Sequence, residues 1–554
     1  MSLFPIRLAM VYHRDITRGT NVKFQWYRNY GNYVNLIDEK LTEIKIPVDM
    51  QRNIKKVKQK LRKESEFSQS RNFQQGDRKI PLISCKNTKL NFLLNQTYSK
   101  FSEVPLASKG WLKGKAVGDY FTINSFKSNP VIIPDEDEYS FERYKLDGKI
   151  VNALQKLGIV KPTRIQNACI PKALKNENIL CCGQTGSGKT LAYILPIMQK
   201  LLHFAEKHRY DEQLEANAPL SLIITPSREL ATQVWEVANE IGTALGLNIK
   251  LAVGGQDTKK LLANPEFDFE IDMLISTPGA LNKLVSSTMY KLSQVKYLVL
   301  DEVDTMLDDS FIGSVKYLFK QLNPSEIQHS NQKIMDTQLL FVGATIPTDS
   351  LKALDEIIDI DSLVNVIPDN LLHFVLPHVS QKFLRISINE KPHKVLKFAS
   401  KASKNNQPTM IFTSTSKTCE WLSKFLEENN VENISLFGYL TNKVRLGRFE
   451  GFKAGACPIL VCTDIASRGL DTTMASNLSF YLHHMSDYIH RVGRIGRVGS
   501  TFSGFSLNFI CKPWEVALIK EIEYCFRKNE PLTKVDANIK KKIAERHKDE
   551  KIES

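Results

Sequence analysis

The segment Gly183–Thr190 constrains this chain more than any other stretch of its sequence. It reads GQTGSGKT and fits the pattern G-x-x-x-x-G-K-[ST]. It follows the apolar run 179–182 and precedes the helix-like run 191–195. A glycine-rich loop between a strand and a helix lets backbone N–H groups surround a polyphosphate. We therefore predict an ATP or GTP site, in which Lys189 reaches the β and γ phosphates and Thr190 binds Mg²⁺. The alternative is a tight glycine turn that binds nothing.

The size and composition of the chain indicate a multidomain globular protein. Its 554 residues exceed the usual domain size of about 150 residues. No apolar run reaches the roughly 20 residues that a bilayer span requires, so we expect no membrane insertion. The nine cysteines are scattered without a C-x-x-C pair, which predicts reduced thiols in an intracellular protein.

Positive charge is concentrated in the N-terminal part. Residues 1–130 hold 24 Lys and Arg against 10 Asp and Glu, whereas the whole chain has a net charge of +15. Residues 1–37 are basic and amphipathic, and they contain one acid, Asp15. This composition is typical of a mitochondrial transit peptide. The alternative is a disordered basic terminus. Residues 38–140 form a basic arm, with a run at 52–63 that either contacts RNA phosphates or is a solvated helix face.

From residue 141 onward the pattern predicts an α/β fold. Helix-like segments alternate with short β-branched runs, which is typical of parallel sheets. We expect a first lobe at 141–366, a linker at 367–379, a second lobe at 380–530 and a flexible tail at 531–554. Residues 64–130 are expected to be irregular and 204–219 to form a surface loop. The predicted strands are 179–182, 221–225, 273–276, 297–300, 339–342, 410–413, 434–437, 459–463 and 505–509.

An acidic segment, Asp301–Asp304, follows the predicted strand 297–300. A carboxylate at the carboxyl end of a strand can hold Mg²⁺ beside a phosphate-binding loop. We therefore predict that Asp301 holds the metal and that Glu302 orients and polarises the attacking water.

With these motifs in this order, residues 141–505 resemble the DEAD-box RNA helicases. Phe141 lies 25 residues before Gln166, within a segment that resembles the family's adenine-reading motif. Gln166 can present a donor and an acceptor to adenine, and Phe141 can stack on its ring, although Phe141 taken alone is more typical of a core aromatic. The resemblance implies two tandem RecA-like lobes that use ATP and Mg²⁺. The implied nucleotide-binding residues are Phe141, Gln166, Gly186, Gly188, Lys189, Thr190 and Asp471.

The resemblance also implies catalytic and RNA-binding positions in both lobes. Arg494 and Arg497, in HRVGRIGR, correspond to arginine fingers that counter the charge on the γ-phosphate. Arg468 lies in a motif that organises the interface between the lobes, and Asp471 of that motif contacts the ribose. The implied contacts to the RNA backbone are Pro226, Arg228, Gly255, Thr277, Gly279, Arg445 and Thr463. Such contacts hold a strand without reading its sequence.

Several positions depart from the family pattern. Ala280 stands where the family has Arg, Gly343 replaces the Ser of S-A-T, and Val303 replaces Ala. The stretch 480–486 lacks the usual Asp-x-Pro element. The loss of the serine hydroxyl at Gly343 leaves open how ATP state is coupled to the geometry of the lobes.

Four segments, 105–111, 277–280, 342–345 and 513–516, resemble an animal mitochondrial type within the family. That type implies an RNA helicase of the mitochondrial matrix that acts as a monomer on ribosomal RNA in large-subunit precursors. A nuclear location in addition stays open, because a basic arm also suits a nuclear protein. Two other functions stay open, a weakly catalytic RNA clamp and a DNA helicase, and the sequence does not identify the RNA target.

Overall fold

The computed structural model describes residues 81–94, 96–98, 102–126, 140–208, 215–263, 268, 270–308, 311–322, 337–345, 351–368, 373–464, 472, 475, 477–480, 484–497, 500, 504–533 and 535. The predicted transit peptide, the basic run 52–63 and most of the tail lie outside these residues. All the described residues belong to one compact unit.

The described residues form two sheets flanked by helices. The strands are β1 Pro81–Cys85, β2 Phe92–Leu93, β3 Tyr120–Ile123, β4 Ile179–Cys182, β5 Ser221–Ile224, β6 Ile249–Ala252, β7 Met273–Ser276, β8 Tyr297–Asp301, β9 Gln338–Gly343, β10 Val364–Val366, β11 Ser380–Arg385, β12 Thr409–Phe412, β13 Ile434–Leu436, β14 Ile459–Cys462, β15 Asn477–Phe480 and β16 Phe505–Ile510. The α-helices are α1 Gly148–Lys156, α2 Arg164–Leu174, α3 Lys189–His208, α4 Arg228–Leu245, α5 Gln256–Ala263, α6 Pro278–Ser286, α7 Val303–Met306, α8 Ile312–Leu322, α9 Lys391–Lys404, α10 Ser416–Glu428, α11 Asn442–Lys453, α12 Met485–Val492 and α13 Pro513–Lys528.

The first lobe is built on a parallel sheet in the order β10-β4-β9-β8-β5-β7-β6. Four of its strands, β4, β5, β7 and β9, are buried along their whole length, which explains their continuous apolar character. Separate apolar clusters lie on the two faces of this sheet. Because the strands are parallel, the loops that follow them meet at one edge of the sheet, where ligands bind in open α/β sheets.

The second lobe has a parallel sheet in the order β13-β14-β12-β15-β16-β11. Its strands were predicted from the sequence except β11 and β15. The prediction of two tandem α/β lobes is confirmed.

The expectation of an irregular segment over residues 64–130 is wrong for residues 81–123. There, β3 pairs antiparallel with β11 and extends the second sheet, and β1 and β2 continue it outward. Phe121 of β3 lies opposite Phe383 of β11, and their rings stack with centroids 4.8 Å apart. Cross-strand aromatic pairs of this kind stabilise a sheet. We call residues 81–126 the N-terminal extension.

A buried ion pair holds the N-terminal extension against α13. The carboxylate of Glu523 accepts hydrogen bonds from the backbone N–H groups of Ala107 and Ser108 at 2.8 and 3.0 Å, and from the Ser108 hydroxyl at 2.7 Å. Arg527, one helical turn later, lies 2.8 Å from the same carboxylate and donates to the carbonyl oxygen of Leu90. Since both charged side chains are inaccessible to solvent, these hydrogen bonds compensate their desolvation.

Three smaller predictions have different outcomes. The surface loop expected at 204–219 begins later, because α3 continues to His208. All nine cysteines are buried free thiols, in agreement with the prediction of reduced thiols. Within the described ranges, no helix combines the length and the apolar character of a membrane span.

Candidate nucleotide and RNA site

The phosphate-binding loop connects β4 to α3, as the sequence predicted. Gly186 and Gly188 have φ angles of 75° and 84°, in the left-handed region that favours glycine. Lys189 lies at the start of α3 and donates hydrogen bonds of 2.8 Å to the carbonyl oxygens of Gly183 and Gln184. Burial lowers the pKa of Lys189, and the nearby Asp301 carboxylate acts in the opposite direction.

The same loop holds donors suited to an oxyanion. Among the described residues, the hydroxyl of Ser187 and the amide nitrogen of Gln184 are buried without a hydrogen-bond partner. Buried polar groups of folded proteins are almost always hydrogen-bonded. Phosphate oxygens placed at the N-terminus of α3 would supply the missing acceptors.

Gln166 joins its own motif to the phosphate-binding loop. Its side-chain oxygen accepts a 2.9 Å hydrogen bond from the Thr163 N–H in a capping box at the start of α2, and its amide nitrogen donates to the Gly188 carbonyl oxygen at 2.9 Å. A side chain at Gly188 would clash, because an added Cβ would lie 2.6 Å from that nitrogen.

The ring of Phe141 is 2% exposed and belongs to the apolar core of the first lobe. It contacts Tyr144 edge to face, with centroids 6.3 Å apart. This is the place expected for a core aromatic, and stacking on adenine stays a prediction for this residue.

Asp301 is held by two hydrogen bonds at the end of β8. The Tyr193 hydroxyl donates to one carboxylate oxygen and the Glu302 N–H to the other, each at 2.8 Å. Burial raises the pKa of Asp301, whereas the Tyr193 hydrogen bond and the charge of Lys189 lower it. The Tyr193 hydroxyl also interacts with Thr190. The two predicted magnesium ligands, Thr190 and Asp301, are therefore neighbours of one hydroxyl group, an arrangement that fits a single hard cation held by oxygen ligands.

Glu302 has an unusual backbone conformation, with φ 50° and ψ 51°. Residues other than glycine rarely adopt this left-handed conformation, and those that do are concentrated at functional sites. One carboxylate oxygen of Glu302 lies 4.0 Å from an Arg494 guanidinium nitrogen of the second lobe, and Arg494 is 2% exposed. The structure thus brings a predicted catalytic carboxylate and a predicted arginine finger together.

The end of α12 packs directly on the phosphate-binding loop. Gly493 lies against Thr185, whose Oγ1 would overlap any added Cβ and whose own Cβ would lie 2.6 Å from it. Arg497 covers Gly186, where an added Cβ would lie 3.0 Å from the Cβ of the arginine. Of the two predicted arginine fingers, Arg497 therefore lies against the phosphate-binding loop, while Arg494 lies near Glu302 at the end of β8.

A second contact between the lobes centres on Asp304. Its carboxylate accepts hydrogen bonds from the hydroxyl and the N–H of Thr345 at 2.7 and 3.1 Å. The same oxygen lies 3.7 Å from His490 Nε2 in α12. Sequence reasoning gave no role to Asp304, Thr345 or His490, although all three lie within the motifs that it quoted.

Most of the predicted RNA contacts lie at the carboxyl ends of parallel strands. Pro226 and Arg228 follow β5, Gly255 follows β6, and Thr277 and Gly279 follow β7, so that one edge of the first sheet carries all five. The Arg228 guanidinium lies against Gly254, where an added Cβ would be 2.9 Å from one of its nitrogens.

In the second lobe, Thr463 follows β14, and its N–H donates to the Leu436 carbonyl oxygen of β13. Arg445, in the first turn of α11, forms an ion pair of 3.1 Å with Glu229 of the first lobe. Their side chains are only 11% and 8% exposed. The two sheet edges that carry the predicted RNA contacts therefore meet at this pair. Arg468 and Asp471 lie outside the described residues.

Comparison with known proteins places this architecture in a family. Residues 163–354 match the model of the DEAD/DEAH box helicase and residues 390–499 that of the helicase conserved C-terminal domain. The chain is 34% identical over 532 residues to the human "Probable ATP-dependent RNA helicase DDX28", with 93% of this chain and 95% of that protein covered. The chain belongs to the DEAD-box family of ATP-dependent RNA helicases.

Solved DEAD-box structures share its fold. Mss116p bound to ssRNA and AMP-PNP is 25% identical, with a TM-score of 0.59 over 73% of this chain and 80% of that one. Dbp5 of S. cerevisiae, bound to RNA and ADP BeF3, has a TM-score of 0.58 at 22% identity over 70% of this chain and 94% of that one. The family resemblance and the two RecA-like lobes that the sequence predicted are confirmed.

Two departures from the DEAD-box pattern are complementary in space. A Cβ added at Gly343 would lie 3.0 Å from Val303 Cγ1 and 3.2 Å from the Thr345 carbonyl oxygen. The larger side chain at position 303 therefore occupies the space beside position 343, where a serine would need its neighbours to move. Asp304 still links the first lobe to the second. It accepts the hydrogen bonds from Thr345, which follows β9, and it lies near His490 of the second lobe.

Proposed function

We propose that this DEAD-box helicase hydrolyses ATP in a site completed by both lobes. The contacts of α12 with the phosphate-binding loop carry this proposal, because they place Arg494 and Arg497 at the nucleotide side of the first lobe. Positioned cations counter the charge that spreads over a transferring phosphoryl group. In this proposal Lys189 holds the β and γ phosphates, Glu302 orients and polarises the attacking water, and Gln166 and Phe141 bind adenine.

The site suits Mg²⁺ bound mainly through the nucleotide. Among the described residues, no group of three or more His, Cys, Asp or Glu side chains forms a metal cage. Mg²⁺ commonly binds one or two protein oxygens together with substrate phosphates. Thr190 and Asp301 are the residues proposed to hold it, where the cation would neutralise phosphate charge.

RNA is proposed to lie across the sheet edges of both lobes. Pro226, Arg228, Gly255, Thr277 and Gly279 would hold one part of the strand, and Arg445 and Thr463 the next. Arg445 and Glu229 join these edges in this structure, so in this proposal one strand contacts both lobes while they are closed together. RNA binding and closure of the ATP site then share one conformational change, which couples the two ligands. Asp471 is proposed to bind the ribose.

An RNA clamp with little hydrolysis is the alternative function. The glycine at position 343 and the altered stretch 480–486 favour this alternative, whereas the fit of Val303 beside Gly343 and the Thr345–Asp304 hydrogen bonds favour an intact coupling route. RNA-stimulated phosphate release by the purified chain tests the choice. Stimulation by RNA that Glu302→Gln abolishes supports the enzyme, whereas ATP-dependent RNA binding without phosphate release supports the clamp. Stimulation by DNA as well as RNA would contradict a function restricted to RNA.

We further propose a role in assembly of the large mitochondrial ribosomal subunit, in the matrix and as a monomer. Its support is the resemblance to an animal mitochondrial type of the family and the basic, acid-poor N-terminus. Crosslinking of RNA to the chain in cells, with Lys189→Ala and Glu302→Gln as ATP-site controls, tests the target. Recovery of large-subunit mitochondrial rRNA supports this role. Recovery of only nuclear RNAs would contradict it.

A further inference from the structure

Tyr439 is an exposed aromatic residue on an ordered turn of the second lobe. Its side chain is 80% exposed, more than that of any other large hydrophobic residue described. The turn is closed by a hydrogen bond from the Leu440 N–H to the Phe437 carbonyl oxygen at 3.3 Å. Phe437 is buried in an apolar cluster of the second lobe, and Leu440 packs against it. The turn is therefore anchored on both sides of Tyr439, while the tyrosine ring itself is in solvent.

The turn lies between two of the proposed RNA contacts. It follows β13, whose last residue, Leu436, accepts the hydrogen bond from the Thr463 N–H. It precedes α11, where the Arg445 N–H donates to the Thr441 carbonyl oxygen at 2.9 Å. Because β13 and β14 run parallel, Tyr439 is at the same sheet edge as Thr463. The turn thus connects the strand that is hydrogen-bonded to Thr463 with the helix that carries Arg445.

Backbone contacts leave the bases of a bound strand free to make other contacts. Aromatic side chains stack on unpaired bases with little dependence on sequence, since every base has a flat π-face. We propose that the Tyr439 ring stacks on one unpaired base of the RNA that occupies the second lobe. This inference rests on the proposed RNA path, and it adds a base contact to a site otherwise built for sugar and phosphate.

Abasic RNA separates stacking from backbone binding. The full-length chain, with AMP-PNP, is titrated with a labelled single-stranded ten-nucleotide RNA and with a series in which one base at a time is removed. We expect one abasic position to weaken binding on the order of tenfold in the unaltered chain. Tyr439→Ala should weaken binding of the intact RNA by a similar factor. Removal of the same base should then cause no further loss of affinity in this variant. Tyr439→Phe should behave like the unaltered chain.

Tyr524→Ala is the matched control. Tyr524 is 39% exposed in α13, eleven residues after the start of that helix. This places it about 16 Å along the helix from the sheet edge. Its replacement should leave RNA affinity unchanged. Unchanged affinity in Tyr439→Ala, or an abasic penalty that persists in it, overturns the stacking inference alone. If the unaltered chain binds no single-stranded RNA, the proposed RNA path and the stacking inference fall together.

Discussion

Replacement of Gly493 by alanine should separate closure of the lobes from their folding. Gly493 has φ −67° and ψ 2°, a conformation that alanine adopts readily, so the second lobe should fold normally. Across the interface, however, the new Cβ would overlap Thr185 Oγ1 and lie 2.6 Å from Thr185 Cβ. Rotation of the threonine side chain moves the hydroxyl but leaves its Cβ in place, so the backbones must move apart.

The size of this displacement sets the expected loss. Ordinary contact begins at 3.4 Å, so the interface must open by at least 0.8 Å at this point. A misplacement of about 1 Å in an active site can lower the rate by about 10². The arginine fingers that move with Gly493 contribute about 10³ to 10⁵ in related phosphoryl transfer. We therefore expect the RNA-stimulated kcat for ATP hydrolysis to fall by a factor of about 10² to 10³.

The assay is steady-state phosphate release with saturating single-stranded RNA, and thermal unfolding checks the fold. Gly313→Ala is the control, because an added Cβ there meets no atom within 4 Å. Thr185→Gly removes both opposing atoms, so the double variant should recover activity relative to Gly493→Ala. Full RNA-stimulated activity in Gly493→Ala would refute the closed arrangement of the lobes, and so would failure of the double variant to improve on it.

Two further predictions concern contacts away from the phosphate-binding loop. Glu523→Gln should destabilise the N-terminal extension by about 3–5 kcal/mol, because it removes the negative charge that balances the buried Arg527 guanidinium. Hydrogen exchange should then accelerate in residues 81–123 far more than in β4. An equal change in exchange rate in the two regions would contradict this anchoring role. RNA affinity, measured with AMP-PNP, should change in Arg445→Met and in Glu229→Gln. The change in the free energy of RNA binding of the double variant should differ from the sum of the two single changes by about 0.5–3 kcal/mol. Strict additivity would show that the two residues do not act as a pair.

Sequence patterns predicted the elements whose signals are local. The phosphate-binding loop, the acidic segment after β8 and the buried strands of both sheets each consist of a short run with its own pattern, and the structure has them where they were expected. Family resemblance then supplied the order of the lobes. Arg494 lies near Glu302 and Arg497 lies against Gly186, and the arginine-finger roles that the resemblance implies for them stay predictions.

Long-range pairing could not be predicted in the same way. The strands β1 to β3 have two to five residues each and are stabilised by β11 and α13, which lie hundreds of residues later in the sequence. Similarly, nothing in the local pattern shows that Asp304 approaches His490 or that Val303 fills the space beside Gly343. Such contacts depend on the packed fold, which a local motif does not specify.

RNA-stimulated ATP hydrolysis by the full-length chain tests the central claim most directly. Phosphate release is measured with and without single-stranded RNA for the unaltered chain, Glu302→Gln and Arg494→Ala. The proposed site predicts low activity without RNA, a large increase with RNA, and loss of that increase in both variants. An increase that survives either substitution would contradict the claim that Glu302 and Arg494 form one catalytic site across the two lobes.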